Sequence, residues 1–203
     1  MGDIRANVYC GMTEPLGVSQ QEIATPKPGV LQLLPRGNEA AVGAMVGGAL
    51  AAASLIWFGL GGRGLIGFVL CPTLVLLSAI DLRHRLLPNL IVLPAAVIVV
   101  VIVASSDSGS LVSHAVAGGV FAGVMLIAAL VFPAGLGMGD VKLALLIGLA
   151  LGDRTGAAVF VTALASFVVS VALLVHGGRA ALRRSIPFGP FLAVGALVGY
   201  FFG

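Results

Sequence analysis

The fold turns on residues 65–104, LIGFVLCPTLVLLSAIDLRHRLLPNLIVLPAAVIVVVIVA. Two uncharged runs, 64–80 and 90–104, flank a short polar stretch, 81–89, that holds Asp81, Arg83, His84, Arg85, Pro88 and Asn89. Each run approaches the roughly 20 apolar residues that cross a bilayer as helix. Helix is the form such runs take, because lipid offers no partner to an unpaired backbone N–H or C=O. The stretch therefore reads as two membrane helices joined by a basic loop.

The same pattern extends along the chain. Of 203 residues, 59% are hydrophobic and 9% charged, and mean hydropathy is +1.14, whereas soluble domains carry about 25% charged residues. Further apolar runs lie at 40–60, 115–132, 141–151, 156–175 and 187–203. The expectation is an all-α, polytopic integral membrane protein with about seven transmembrane helices over 40–203. The run 141–151 is short by itself. Extended to 137–152 it gives 16 residues, about 24 Å of helix, which puts Asp140 at the membrane boundary or a turn inside it. Residues 1–39 contain Pro15, Pro26, Pro28 and Pro35 and no apolar core of a secretory signal, so a disordered cytoplasmic tail is expected there.

Lys and Arg favour cytoplasmic loops. With the tail inside, Arg5, Lys27, Arg36, Arg83, Arg85, Lys142, Arg179, Arg183 and Arg184 are cytoplasmic, and only Arg63 and Arg154 are outside. N-terminus inside and C-terminus outside is the expected orientation in a cell membrane. The net charge of +3 is thus sorted by membrane side rather than gathered in a patch, and nucleic acid is not an expected partner.

Asp81 ends the second run and Asp140 opens the fifth, so this topology sets two carboxylates at one depth on the cytoplasmic side. An ionised carboxylate at the centre of an inserting helix costs roughly 2.5 to 3.5 kcal/mol. Taken singly, Asp81 reads as a helix-end acid beside juxtamembrane arginines, and Asp140 as a first-turn acid that complements the helix dipole. Taken together they form a pair suited to acid–base hydrolysis, in which neighbouring carboxyls share one proton, one member activates water and the other polarises a carbonyl. Gly137 and Gly139 leave room for an extended substrate backbone. Lys142, two residues on from Asp140, points about 200° away on a helix and reads as a snorkelling or substrate-holding cation. Asn89, after Pro88, reads as the N-cap of the next helix.

Other chemistries find little support. Cys10 and Cys71 form no CxxC pair, His84, His114 and His176 are scattered, and HExxH, GxSxG and P-loop patterns do not occur. Neither a metal nor a cofactor is expected. Cys71, inside an apolar run, reads as a small core residue. Glycine-rich segments such as VAGGVFAG are weak evidence of close helix packing. An ion- or proton-coupled transporter with intramembrane carboxylates is the alternative function, and a structural membrane subunit a third.

Three segments carry a family resemblance: GMGDVKLALLIG at 137–148, AIDLRHRLLPNLIVLPA at 79–95 and IPFGPFLAVGAL at 186–197. In this order they resemble the GxGD segment, the other aspartate segment and the C-terminal helix of type IV prepilin peptidases. The resemblance implies a membrane aspartic endopeptidase that removes the basic leader of prepilins or pseudopilins at the cytoplasmic face. It implies Asp81 and Asp140 as the catalytic pair, with Gly137, Gly139, Lys142, Pro88 and Asn89 shaping the site. The bifunctional members carry paired cysteines in a cytoplasmic segment associated with N-methylation; residues 1–39 hold only Cys10. A peptidase-only form without methyltransferase activity is therefore expected. The presenilin type of GxGD protein is less similar, since Ile80 rather than Tyr precedes Asp81.

Overall fold

The computed structural model describes residues 34–35, 37–106, 109–131, 136–181 and 187–203. They form seven α-helices: α1 (Asn38–Phe58), α2 (Gly62–His84), α3 (Asn89–Ser106), α4 (Leu111–Val131), α5 (Met138–Leu151), α6 (Thr155–Ala181) and α7 (Gly189–Phe202). A single 3₁₀ turn, Gly152–Arg154, links α5 to α6. The expected tail lies outside the described residues except for 34–35 and its last three positions, of which Asn38 and Glu39 open α1.

The seven apolar runs each become a helix, but the expected count of about seven crossings is not confirmed. Five helical stretches are long and apolar enough to cross a membrane: α1, α2, α3, α4 and Met138–His176. The last of these runs on through the 3₁₀ turn as one stretch of 39 residues, while α7 is a shorter apolar helix. The turn itself is made by Gly152, at φ 57°, a left-handed value that glycine adopts without a Cβ clash.

Consecutive helices pair as α1 with α2, α4 with α5 and α6 with α7, and the core gathers where α2, α3, α5 and α7 meet. The most apolar stretch of α2 is 44% buried, against 17% for α1 and α4, so α2 is central and those two face outward. Its buried residues include Ile66, Leu70, Leu74, Leu77 and Asp81, a spacing of three and four that keeps them on one helical face. On α5 the buried stripe runs Asp140, Leu143, Ala144, Ile147 and Leu151. On α7 it runs Gly189, Leu192, Ala193, Ala196, Gly199 and Tyr200. The two aspartates and Gly189 thus belong to the core-facing stripes of three helices.

Small residues allow the close approaches. A methyl added at Gly148 of α5 would meet the Gly118 nitrogen of α4 at 2.7 Å, and one added at Gly47 of α1 would meet the Cα of Pro72 at 3.0 Å. Such contact between backbones is how membrane helices gain packing energy without a hydrophobic drive between them. At the end away from the aspartates, Tyr200 of α7 donates to the Arg63 carbonyl at 2.7 Å and its hydroxyl lies 2.6 Å from Ser54 Oγ of α1. This clasp ties α7 to α1 and α2. Cys71 is fully buried in α2, as a core residue would be.

Candidate active site

Asp81 and Asp140 line one cavity of about 310 Å³ at one end of the bundle. They arrive from helices that run in opposite senses: Asp81 closes the buried stripe of α2 near its C-terminus, and Asp140 opens that of α5 at its N-terminus. Their relative exposures are 5% and 7%, so each carboxylate needs a partner from the protein in place of water.

Each finds a backbone N–H. The Gly189 N–H, at the start of α7, donates to Asp81 Oδ2 at 2.8 Å. The Gly137 N–H donates to Asp140 Oδ2 at 3.1 Å, while Asp140's own N–H donates to the Gly137 carbonyl at 3.0 Å. Gly137 is the N-cap of α5 in extended conformation, and Asp140 supplies the reciprocal half of a capping box. Both acids thus meet the positive end of a helix, Asp81 that of α7 and Asp140 that of α5. Among the described residues neither Oδ1 has a hydrogen-bond partner.

The glycines differ from one another. A Cβ at Gly139 would lie 2.7 Å from the Cβ of Leu87, so Gly139 is what lets the 85–88 loop close over α5. At Gly137 the nearest atom would be Asp140 Oδ2 at 3.7 Å, ordinary contact. At Gly189 a Cβ would meet Asp81 Oδ2 at 2.7 Å and Cγ at 3.0 Å, so the N–H bond to Asp81 requires glycine there. Gly189 was not among the site residues expected from the sequence; the signal available was FGP, a glycine before a proline at a helix start.

Lys142 Nζ donates to Asn89 Oδ1 at 2.8 Å, and both line the cavity. This corrects the expected role of Asn89 as an N-cap. Asn89 is the first residue of α3, and the carbonyl of Pro88 accepts the N–H groups of Ile91 and Val92 at 3.1 and 3.4 Å. The Asn89 side chain is thereby free to reach across to α5. Pro88 itself starts the helix and is the one expected site residue that does not line the cavity.

Arg85 is a second residue whose placement the sequence did not reveal. It is the C-cap of α2 at φ 51°, the only described non-glycine residue with positive φ. Its N–H donates to the Asp81 carbonyl at 2.9 Å, and the residue lines the cavity. Arg83 turns away to an ion pair with Glu39 of α1. The cavity is thus lined by two cations, Arg85 and Lys142, and by two buried carboxylates. Among the described residues no three His, Cys, Asp or Glu side chains gather to hold a metal ion.

Comparison with known proteins agrees on one family. The family model described as the type IV leader peptidase family matches residues 68–175, a segment that contains both aspartates. The chain is 34% identical over 165 residues to the prepilin leader peptidase/N-methyltransferase of Burkholderia pseudomallei (strain 1026b), covering 78% of this chain and 53% of that protein. It is 32% identical over 164 residues to the protein of the same name from Bacillus subtilis (strain 168), with coverage of 78% and 64%. A third such protein, from Xanthomonas campestris pv. campestris, is 32% identical over 162 residues, with coverage of 76% and 55%. The chain spans a little over half the length of these relatives. No solved structure matches.

Proposed function

The chain belongs to the type IV leader peptidase family, and from that premise we propose that it is a membrane aspartic endopeptidase cutting the basic leader from type IV prepilins or pseudopilins. The observation that carries the proposal is the meeting of Asp81 and Asp140 at one cavity, each held by one backbone N–H and, among the described residues, with no partner on its other oxygen. The family favours this reading over a transporter.

In the proposed reaction a water held between the carboxyls loses a proton to the ionised one as its oxygen attacks the scissile carbonyl carbon. The protonated carboxyl donates to the carbonyl oxygen, forming a tetrahedral diol. Return of a proton to the leaving amine breaks the C–N bond and restores the pair. The N–H groups of Gly137 and Gly189 hold the carboxylates in position and cost no reorganisation during the reaction. Gly139 keeps the loop close, and the Lys142–Asn89 bond spans from α5 to the start of α3 beside the cavity. Pro88 supports the site by starting α3.

The cytoplasmic side is proposed for the aspartate end, on the grounds that Arg83, Arg85 and Lys142 lie there and Arg63 and Arg154 lie at the other end. The chain is proposed to cleave without methylating. Of its two cysteines, Cys71 is buried in α2 and Cys10 has no neighbouring partner in sequence, so no cysteine pair like that of the methylating members is in evidence.

The experiment is co-expression with a prepilin, followed by mass spectrometry of the pilin N-terminus. The expected product is a pilin shortened by its leader and carrying a free, unmethylated amine. An uncut prepilin beside membrane-inserted enzyme would refute the peptidase reading, and a methylated product would refute the peptidase-only part.

A further inference from the structure

Arg85 stands where its backbone conformation does not favour it. It ends α2 in the left-handed region at φ 51°, which glycine or asparagine adopts with less crowding. The helix end has no need of it as a cation, since Arg83 and His84 already fill the last turn of α2. What arginine adds is its side chain, and the residue lines the cavity of about 310 Å³ together with Asp81, Asp140 and Lys142.

The charged residues of this cavity are not equally engaged. Each acid accepts a backbone N–H, and Lys142 donates to Asn89. Arg83 is turned to Glu39. Arg85 is exposed and close enough to Asp81 to act on it through space, yet among the described residues it forms no ion pair and no side-chain hydrogen bond. A guanidinium has only donors, set in a planar fork, and the group that matches it best is a carboxylate, bound through two parallel hydrogen bonds.

The proposed reaction makes such a group inside the cavity. Hydrolysis puts the water's OH on the acyl carbon and its remaining hydrogen on the leaving nitrogen as the C–N bond breaks, so the leader leaves as a carboxylic acid and the pilin as an amine. An α-carboxyl has an ordinary pKa of about 3.3 to 3.7, and at neutral pH it gives its proton to solvent. The new carboxylate then lies beside an ionised aspartate, and like charges repel. Resting on the peptidase reading of the site, we propose that Arg85 receives the new C-terminal carboxylate of the cut leader. It offsets that repulsion and holds the leader in its anionic form, which an amine does not attack, so the bond does not re-form.

The test uses the full chain in neutral detergent at neutral pH and the leader peptide of a prepilin that it cuts, made with a free C-terminal carboxylate and also as the C-terminal amide. Both peptides are labelled at the N-terminus and their binding is read by fluorescence anisotropy, which does not depend on turnover. The wild type should bind the acid about tenfold more tightly than the amide, the effect of one charge-assisted contact at a partly exposed site. Arg85→Asn, whose new residue accepts the left-handed backbone, should bind the two alike. Arg85→Lys, with the charge but without the fork, should keep a preference of about threefold. Thermal unfolding checks that each variant is folded. Equal binding of acid and amide by the wild type, or an undiminished preference for the acid in folded Arg85→Asn, would overturn the inference and leave the peptidase reading standing. A raised KM for prepilin in Arg85→Asn, with acid and amide bound alike by the wild type, would overturn it in favour of a carboxylate within the uncut substrate. A wild type that cuts no prepilin would remove the peptidase reading, and this inference with it.

Discussion

Gly139 and Gly137 sit two residues apart in the same motif, yet their surroundings ask different things of them. An added methyl at Gly139 lies 2.7 Å from the Leu87 Cβ, and that atom cannot swing aside as a side-chain tip could. Gly139→Ala is therefore expected to push the 85–88 loop off α5 and to cut leader cleavage by about tenfold or more, since misplacement near 1 Å costs that much or more in a preorganised site. Gly137→Ala meets nothing closer than 3.7 Å in a backbone conformation open to alanine, and should cleave at close to the wild-type rate. Parallel cleavage assays of the two variants check the contrast. For Lys142 and Asn89, a double-mutant cycle with Lys142→Met and Asn89→Leu should show coupling of about 1 kcal/mol in unfolding free energy. No coupling would mean that the 2.8 Å bond adds nothing to stability.

At the scale of elements, the last helix is held at both ends. Tyr200 clasps α1 and α2, and the Gly189 N–H grips Asp81. Gly189→Ala puts a methyl 2.7 Å from Asp81 Oδ2, so either the acid turns or the helix start withdraws. Cleavage should fall by about 100-fold or more, while the melting temperature changes little because the Tyr200 clasp is intact. Equal loss of both would make Gly189 a folding residue alone. Between α4 and α5, Gly148→Ala forces a methyl to 2.7 Å from the Gly118 nitrogen. Overpacking of that kind costs about 1 to 3 kcal/mol, to be read as a lower unfolding midpoint in detergent.

For the whole molecule, hydropathy located the seven described helices, all but the C-terminal end of α6 to within four residues, because an apolar run with no charge has no other stable form in lipid. It did not yield the number of crossings. Runs 141–151 and 156–175 read as independent spans and become two helices, α5 and α6, broken at the Gly152–Arg154 turn; they count as a single stretch among the five only because no gap in helical residues separates them. Charge sorting brought Asp81 and Asp140 to one side, and the stripes from Leu70 and from Leu143 explain why both face inward. The Gly189–Asp81 bond spans 108 residues and uses a backbone donor, so it leaves no mark on pattern or charge. The Lys142–Asn89 bond was hidden for a related reason. A helix wheel shows only that Lys142 points away from Asp140, not what meets it, and Asn before a helix reads as a cap until the Pro88 carbonyl is seen in that place.

The central claim is that Asp81 and Asp140 act as one catalytic pair, and single Asn substitutions test it most directly. Purified Asp81→Asn and Asp140→Asn enzymes, each shown to be folded by thermal unfolding, would be assayed for release of the leader from a prepilin in detergent. Both should lose cleavage by about 100-fold or more, the least that removal of an acid–base group costs, and the double variant should be little worse than either single one. Wild-type cleavage by either folded variant would contradict the account.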